Sequence, residues 1–402
     1  MRNHLLLLAV ISVALLIAVG PVQAIAAPFE AATPEGQWRN VVGGYDTLSS
    51  ISVEAFEYDP VIGEMCSQIS ESAIYETTYD LQSISTRRYP STGNRQAATY
   101  IFDRLTAIPG LDVAYSNDEY RNVIATLPGK GGRADEMIVV GAHYDSTSSD
   151  PAHAPGATDN GCGVGVVLEL ARVMSEYEFD RTIQFAFWNA EENGLLGSTR
   201  FVQDVERRSL TIPLYVNYDS GYYDPENEYV LDIIYDTGSK TVADRLAVFN
   251  SLYDIGFTIT FNESDWGLSD SDQWPFWQNG IPAMWTYSQR VPSSYHTKDD
   301  TVDLISPSFA KKDAQLGMVL LAETADLSAV VLVPGGSGSP RDLNGDGKDE
   351  DVNGNGRKDF ADVVLYFNQM SWIAANEPVA AFDYNRNGRV DYADAVWLFD
   401  NL

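Results

Sequence analysis

The sequence predicts an α/β protein, a three-layer, mostly parallel mixed sheet with helices on both faces, followed by a small all-helical module. Three observations predict it. Short β-rich runs at 122–127, 137–142, 182–187, 214–218, 229–234 and 281–285 alternate with helical patterns at 163–174, 194–206, 240–252 and 308–325. Strands joined by crossover helices form parallel sheets covered on both sides, and such strands read as nearly continuous apolar runs. Pro334-Gly-Gly-Ser-Gly-Ser-Pro340 then has the composition of a flexible linker, and beyond it an Asp- and Asn-rich pattern occurs twice.

The elements follow in chain order. Arg2 and His4 precede an apolar run from Leu5 to Val19, then Pro21 and small residues up to Ala27. That is the layout of a signal peptide, with cleavage expected after Ala24 or Ala26, so residues 1–26 are read as one. The run is short for a membrane span, which needs about 20 apolar residues, and the mature chain is expected to be secreted and soluble. Residues 27–60 show no sustained period and are read as an N-terminal extension. A helical stretch runs from 61 toward 83, a turn follows at Tyr89-Pro-Ser-Thr-Gly93, and a second helix covers 94–106. The main domain is placed at 61–330, the linker at 331–341 and the module at 342–402.

The chain carries 57 acidic and 26 basic side chains, a formal net charge of −31. Such a surface excludes nucleic acid, whose binding rests on Lys and Arg neutralising phosphates. It suits solubility and the holding of divalent cations. Cys66 and Cys162 are the only cysteines. They form one disulfide or remain two buried thiols, and there is no cysteine-rich zinc site.

In open α/β sheets the ligand site lies beyond the C-terminal ends of strands. Without the signal peptide three histidines remain, His143, His153 and His296. His143 and Asp145 follow the run at 137–140 in Gly141-Ala-His-Tyr-Asp-Ser146. Residues i and i+2 of an extended strand share a face, so Asp145 is expected to hold the His143 imidazole as a carboxylate does behind a metal ligand. Asp159 sits in Gly156-Ala-Thr-Asp-Asn-Gly161, a loop that opens a helix. Glu191 and Glu192 follow the strand at 182–187, Asp219 ends the strand at 214–218, and His296 comes after the last strand. His153 is expected to be an exposed loop residue, and Cys162 a packing residue.

Taken in order, these segments read His-x-Asp-Ser, Gly-Ala-x-Asp-Asn, Glu-Glu-x-Gly-Leu-x-Gly-Ser, a strand-end Asp, and Tyr-His-Thr-x-x-Asp-Thr. They resemble the M28 family of zinc peptidases, the co-catalytic aminopeptidases, over roughly residues 67–325. The resemblance implies that fold and a secreted metallo-aminopeptidase acting on peptides. It also implies that His143, Asp159 and Asp219 bind one zinc ion and that Asp159, Glu192 and His296 bind a second, with Asp159 bridging. Glu191 would be the general base, and Tyr295 would stabilise the oxyanion. Two zinc ions about 3.5–4 Å apart do need a shared carboxylate, imidazoles and further carboxylates. Glutaminyl cyclases share the fold and several motifs but use one zinc. They are the alternative, together with a non-catalytic scaffold docked through the C-terminal module. Glu191-Glu-Asn-Gly-Leu-Leu-Gly197 and Tyr295 look like peptidases. One departure is Ser271-Asp-Gln273, where many relatives have Ser-Asp-His.

In the module, Asp351, Asn353, Asn355, Arg357, Asp359 and Asp362 occupy calcium-loop positions 1, 3, 5, 7, 9 and 12. Asp383, Asn385, Asn387, Arg389, Asp391 and Asp394 repeat them. Alternating oxygen ligands wrap a hard cation, position 7 gives its carbonyl, and Gly356 and Gly388 allow the sharp turn. Apolar helices are expected at 363–370 and 395–402. Asp342, Asn344 and Asp346 begin a partial third loop, an additional calcium site. This EF-hand-like segment resembles a dockerin, which implies two or three calcium ions and a cohesin-type protein partner. Where many dockerins carry Ser-Thr for that contact, this chain has Phe360-Ala361 and Tyr392-Ala393, which leaves a self-contained calcium-stabilised appendage as the alternative to a cohesin-binding module.

Overall fold

The computed structural model describes residues 56–264, 271–327, 333–338, 340–377 and 379–402. The expected signal peptide and residues 27–55 of the expected extension lie outside the described residues.

Three capped helices open the domain. Asp59 caps α1 (Pro60–Ser67) by accepting from the Val61 amide at 2.7 Å, with Pro60 at the first helical position. Ser70 caps α2 (Glu71–Gln82) and Ser91 caps α3 (Thr92–Thr106). The single helical stretch expected at 61–83 is therefore two helices, because the Ser70 hydroxyl takes the Ala73 amide and starts a new one.

Eight strands follow, with α4 to α8 between or after them. They are β1 (Asp112–Tyr115), β2 (Val123–Leu127), β3 (Glu136–His143), β4 (Thr182–Trp188), β5 (Thr211–Tyr218), β6 (Val230–Tyr235), β7 (Thr258–Glu263) and β8 (Ala283–Ser288). The helices are α4 (Cys162–Met174), α5 (Leu196–Arg208), α6 (Lys240–Leu252), α7 (Gln273–Gln278) and α8 (Pro307–Thr324). The strand order is β1-β2-β4-β3-β5-β8-β6-β7. The central strands β4, β3, β5 and β8 are parallel, as are β6 and β7, whereas β1/β2, β2/β4 and β6/β8 are antiparallel. The sheet is thus mixed with a parallel centre, as the alternation of runs predicts.

Alternate residues of the central strands feed two cores. Ile138, Val140, Phe185, Phe187, Leu214 and Val216 pack beneath α4 and α8, against residues such as Val167, Leu170 and Leu320. Met137, Val139, Trp188 and Tyr215 face the other way, against Val202 and Val205 of α5 and Phe276 of α7. Each such side chain removed from water contributes about 1.5–3 kcal/mol. Burial on both faces fixes the register of the strands whose ends carry the polar residues. Cys66 of α1 and Cys162 of α4 are both free and buried.

The C-terminal module has its own core of Val352, Val363, Tyr366, Ile373, Phe382, Tyr384 and Leu398. Its helices are α9 (Phe360–Asn376), α10 (Val379–Phe382) and α11 (Tyr392–Asp400). α9 and α11 begin earlier than expected, because Asp359 and Asp391 are helix caps and Asp362 and Asp394 close reciprocal capping boxes. The described part of the expected linker folds onto the first loop. Val333 is buried, and the Ser337 and Gly338 amides donate to the Asn353 carbonyl. Among the described residues no helix is long and apolar enough to cross a membrane.

Candidate metal centre

The parallel centre of the sheet brings three strand ends side by side. His143 pairs in register with Trp188 of β4, and Gly141 with Asn217 of β5. The residues that follow, Glu191, Glu192 and Asp219, therefore emerge at the same edge as His143, and the chain leaving β8 returns His296 to that edge.

The Asp159 carboxylate lies between the two imidazoles. Its Oδ1 is 3.0 Å from His143 Nε2, and its Oδ2 is 2.8 Å from His296 Nε2. Asp219 Oδ1 stands 3.1 Å from the same His143 nitrogen, and Glu192 Oε2 stands 3.4 Å from His296 Nε2. Two groups result, His143–Asp159–Asp219 and Asp159–Glu192–His296, each with one ligand atom per residue inside 4.8 Å. Four donors around a zinc at about 2.0–2.2 Å stand roughly 3.3–3.6 Å apart. The Glu192–His296 separation lies in that range and the other three are shorter, so an ion in each group needs only a small outward shift of its donors. The second Glu192 oxygen is buried with no hydrogen-bond partner, a further fit to a cation.

The electrostatics agree with that chemistry. Burial raises the Glu191 carboxyl well above its usual range; His143 opposes this, and Asp219 and Glu192 add to it. Glu192 is raised by burial and by Asp159. Burial alone would lower the His143 imidazole, but Asp219, Glu191 and hydrogen bonds to Asp145 and Asp159 outweigh it and raise it well above the usual value. Burial opposes ionisation of Asp159, yet hydrogen bonds from His143 and His296 hold it below the carboxylate range. So many buried carboxylates in one place is the arrangement that divalent cations stabilise.

Asp145 contacts both His143 and the Glu191–Glu192 segment. The His143 Nδ1 lies 3.1 Å from the backbone carbonyl of Asp145 and 3.6 Å from its carboxylate. The carboxylate also accepts from the Glu191 and Glu192 amides at 3.1 and 3.3 Å. Tyr295 stacks on His296, ring centroids 3.8 Å apart. Burial and the carboxylates Asp159, Asp219 and Glu192 push its phenol upward, so it stays a proton donor. His153 is exposed and pairs with Asp150 at 2.8 Å, away from the cluster.

Several supporting residues were not singled out from sequence. Asp300 accepts from the Thr158 amide and hydroxyl and from the Asp159 amide. It lies within the Tyr-His-Thr-x-x-Asp-Thr segment, which was a signal for it. Behind Asp219 runs a buried chain of donors: Trp188 to Tyr215, Tyr215 to Asn217, Asn217 to Ser271, and Ser271 to Asp219 Oδ2. Gln273, at the departure from Ser-Asp-His, accepts from Asn217 at 3.2 Å. Arg87, fully buried, donates to the carbonyls of Tyr144, Pro155 and Gly156.

In the module, both loops fold alike. Asp351 accepts from the Asn355 and Gly356 amides, and Asp383 from those of Asn387 and Gly388. Gly356 and Gly388 have φ of 80° and 82°, the left-handed region that glycine tolerates. Asp342 accepts the amides of Asn344 through Gly347 in the third loop. Asp342 and Asp346 gather there with Glu350, a residue the sequence reading passed over although it stands at the ninth position. Phe360 and Tyr392 are exposed and lie against Phe399 and Phe367, respectively.

Residues 122–319 match the family Peptidase family M28, and residues 349–402 match the Dockerin type I domain. Leucine aminopeptidase 1 of Paracoccidioides brasiliensis (strain Pb03) is 27% identical over 291 residues, 66% of this chain and 73% of that protein. Aminopeptidase YwaD of Bacillus subtilis (strain 168) is 31% identical over 216 residues, 48% of this chain and 42% of that protein. The Legionella pneumophila LapA aminopeptidase structure superposes with a TM-score of 0.61 at 22% identity, covering 69% of this chain and 78% of that one. That likeness shows a shared fold.

Proposed function

Because this chain carries a peptidase family M28 domain joined to a dockerin type I domain, we propose that it is a secreted aminopeptidase removing N-terminal residues from peptides with two zinc ions. The observation that carries this reading is the Asp159 carboxylate shared between two imidazole–carboxylate groups. His143, Asp159 and Asp219 would hold one ion, and Asp159, Glu192 and His296 the other. Zinc bound there would supply Lewis acidity to the scissile carbonyl and acidify the attacking water.

The chain's own residues do the rest. Glu191, buried beside the cluster and outside both ligand groups, takes a proton from water and returns it to the leaving amine. Asp145 fixes the Glu191–Glu192 backbone through two amides, so base and ligand keep their places. Tyr295 donates toward the oxygen on which negative charge develops. A one-zinc enzyme would leave one of the two groups without a role.

The C-terminal loops would bind calcium at the residues named for them, with Asp342, Asn344, Asp346 and Glu350 as a third site. The module would dock onto a cohesin-type protein, and secretion accords with both the expected signal peptide and this module.

Metal analysis of the purified chain, with turnover on aminoacyl and N-blocked peptides, tests the reading. About two zinc ions per chain and cleavage only of free N-termini are expected. Replacement Glu191→Ala should abolish turnover while zinc stays bound; retained turnover would defeat the mechanism.

A further inference from the structure

Arg87 lies between α2 and α3, and its side chain is fully buried. Its hydrogen bonds go to carbonyls rather than carboxylates. Nε donates to Tyr144 at 2.9 Å, Nη2 to Gly156 at 2.9 Å, and Nη1 to Pro155. The Tyr144 carbonyl lies one residue past His143. Those of Pro155 and Gly156 immediately precede the turn Ala157–Gly161 that presents Asp159, and Gly156 has a φ of 51°. One planar fork thus ties the strand end holding one zinc ligand to the loop holding the shared ligand.

The anchoring continues through the backbone. The Arg87 amide donates to Ser146 Oγ, which donates to the Ala154 carbonyl, and the Arg87 carbonyl accepts from Asn94. Buried carbonyls need donors, and a guanidinium can satisfy three that converge on one spot from different directions. A lysine ammonium has neither that planar spread nor its fixed geometry.

The charge matters as well as the fork. Burial lowers the guanidinium to about 10, and the groups that hold it up are Asp300, Asp145, Asp159 and Glu192. All four belong to the cluster or support it. Arg87 is therefore a fixed positive charge behind a crowd of carboxylates, and it eases their mutual repulsion before any cation arrives.

We propose that Arg87 is a positioning residue of the metal centre, joining the His143 segment to the Asp159 loop and thereby setting how tightly zinc is retained. The inference rests on the two-zinc reading above. It places no atom of Arg87 on substrate.

The test compares the full chain with Arg87→Met and Arg87→Lys in zinc-chelator competition, with melting temperatures of the zinc-free and zinc-loaded forms. Arg87→Met should retain zinc about 10–100-fold less tightly, the range for residues that orient metal ligands. The melting increment given by zinc should shrink, and turnover should recover as free zinc is raised. Arg87→Lys should restore only part of the retention. Parent-like retention in both variants, with both forms destabilised equally, would overturn the proposal and leave Arg87 a packing residue. Failure of both variants to fold would overturn it too, making Arg87 a requirement of the fold. A parent chain that binds no zinc would instead sink the two-zinc reading, and this inference with it.

Discussion

Ser271 donates its hydroxyl to Asp219 Oδ2, the oxygen turned away from His143, at the end of a chain of donors that begins at the Trp188 indole. Every bond in that chain points the same way, so the carboxylate is oriented from behind by side chains from β4, β5 and the segment before α7. Ser271→Ala should lower zinc affinity about 10–100-fold, the usual cost of losing a residue that orients a metal ligand. Chelator competition measures it, and unchanged affinity would show that Asp219 is held well enough by Ser220 and the Trp285 contact.

Asp145→Asn keeps the shape of the side chain but weakens what the Glu191 and Glu192 amides bind. Both glutamates should then lose their fixed placement. We expect kcat to fall about 100-fold, within the range that a positioned general base contributes, with a smaller change in KM. Steady-state kinetics on an aminoacyl substrate checks the split. A pure KM effect would contradict the role assigned to Asp145.

Asp313 of α8 is buried, accepts from Thr286 at 3.1 Å, and faces the Tyr222 hydroxyl. Burial raises its carboxyl from 3.8 to about 7. A group raised in the folded state lends its stability fully below its unfolded value and loses it as the pH climbs through the folded one. Stability should therefore decline between about pH 4 and pH 7, by up to about 4 kcal/mol from this group. Asp313→Asn should flatten that decline in denaturant melts at pH 5 and pH 8. An equal pH slope in variant and parent would remove Asp313 as the cause.

Calcium should stabilise the C-terminal module by about 2.7 kcal/mol for each loop it occupies, at a hundredfold excess over the dissociation constant. Paired replacement of Asp351 and Asp383 by Ala should remove this dependence. Differential scanning calorimetry with and without calcium reads it directly. A calcium-dependent transition that persists in the double variant would point to the Asp342, Asp346 and Glu350 group instead.

The strand ends were legible because two-sided burial turns the central strands into apolar runs whose last residues are polar. His143, Glu191, Glu192 and Asp219 stand at or just past such ends. The edge strands β1 and β7 were missed because they are partly exposed and carry polar residues, such as Asp112 and Thr258, that blur an apolar run. α7 has only six residues and a proline inside, too short for a helical period to register. The second part of Asp145, holding the Glu191 and Glu192 amides, was not legible because those partners lie more than forty residues away in the chain. Arg87 and Asn217 act through bonds to groups more than fifty residues away in the chain. No local pattern announces such a partner, whereas Glu350 could have been counted from Asp342.

The carboxylates of Asp362 and Asp394 each serve two neighbours at once. Asp362 accepts the Asn353 amide near the start of its loop and the Asp359 amide at the start of its helix, and Asp394 does the same for Asn385 and Asp391. Loop closure and helix initiation thus share one hinge pin in each repeat. Neither half of the tail can be altered alone, because a change at either carboxylate disturbs the loop and the first turn of the helix beside it together.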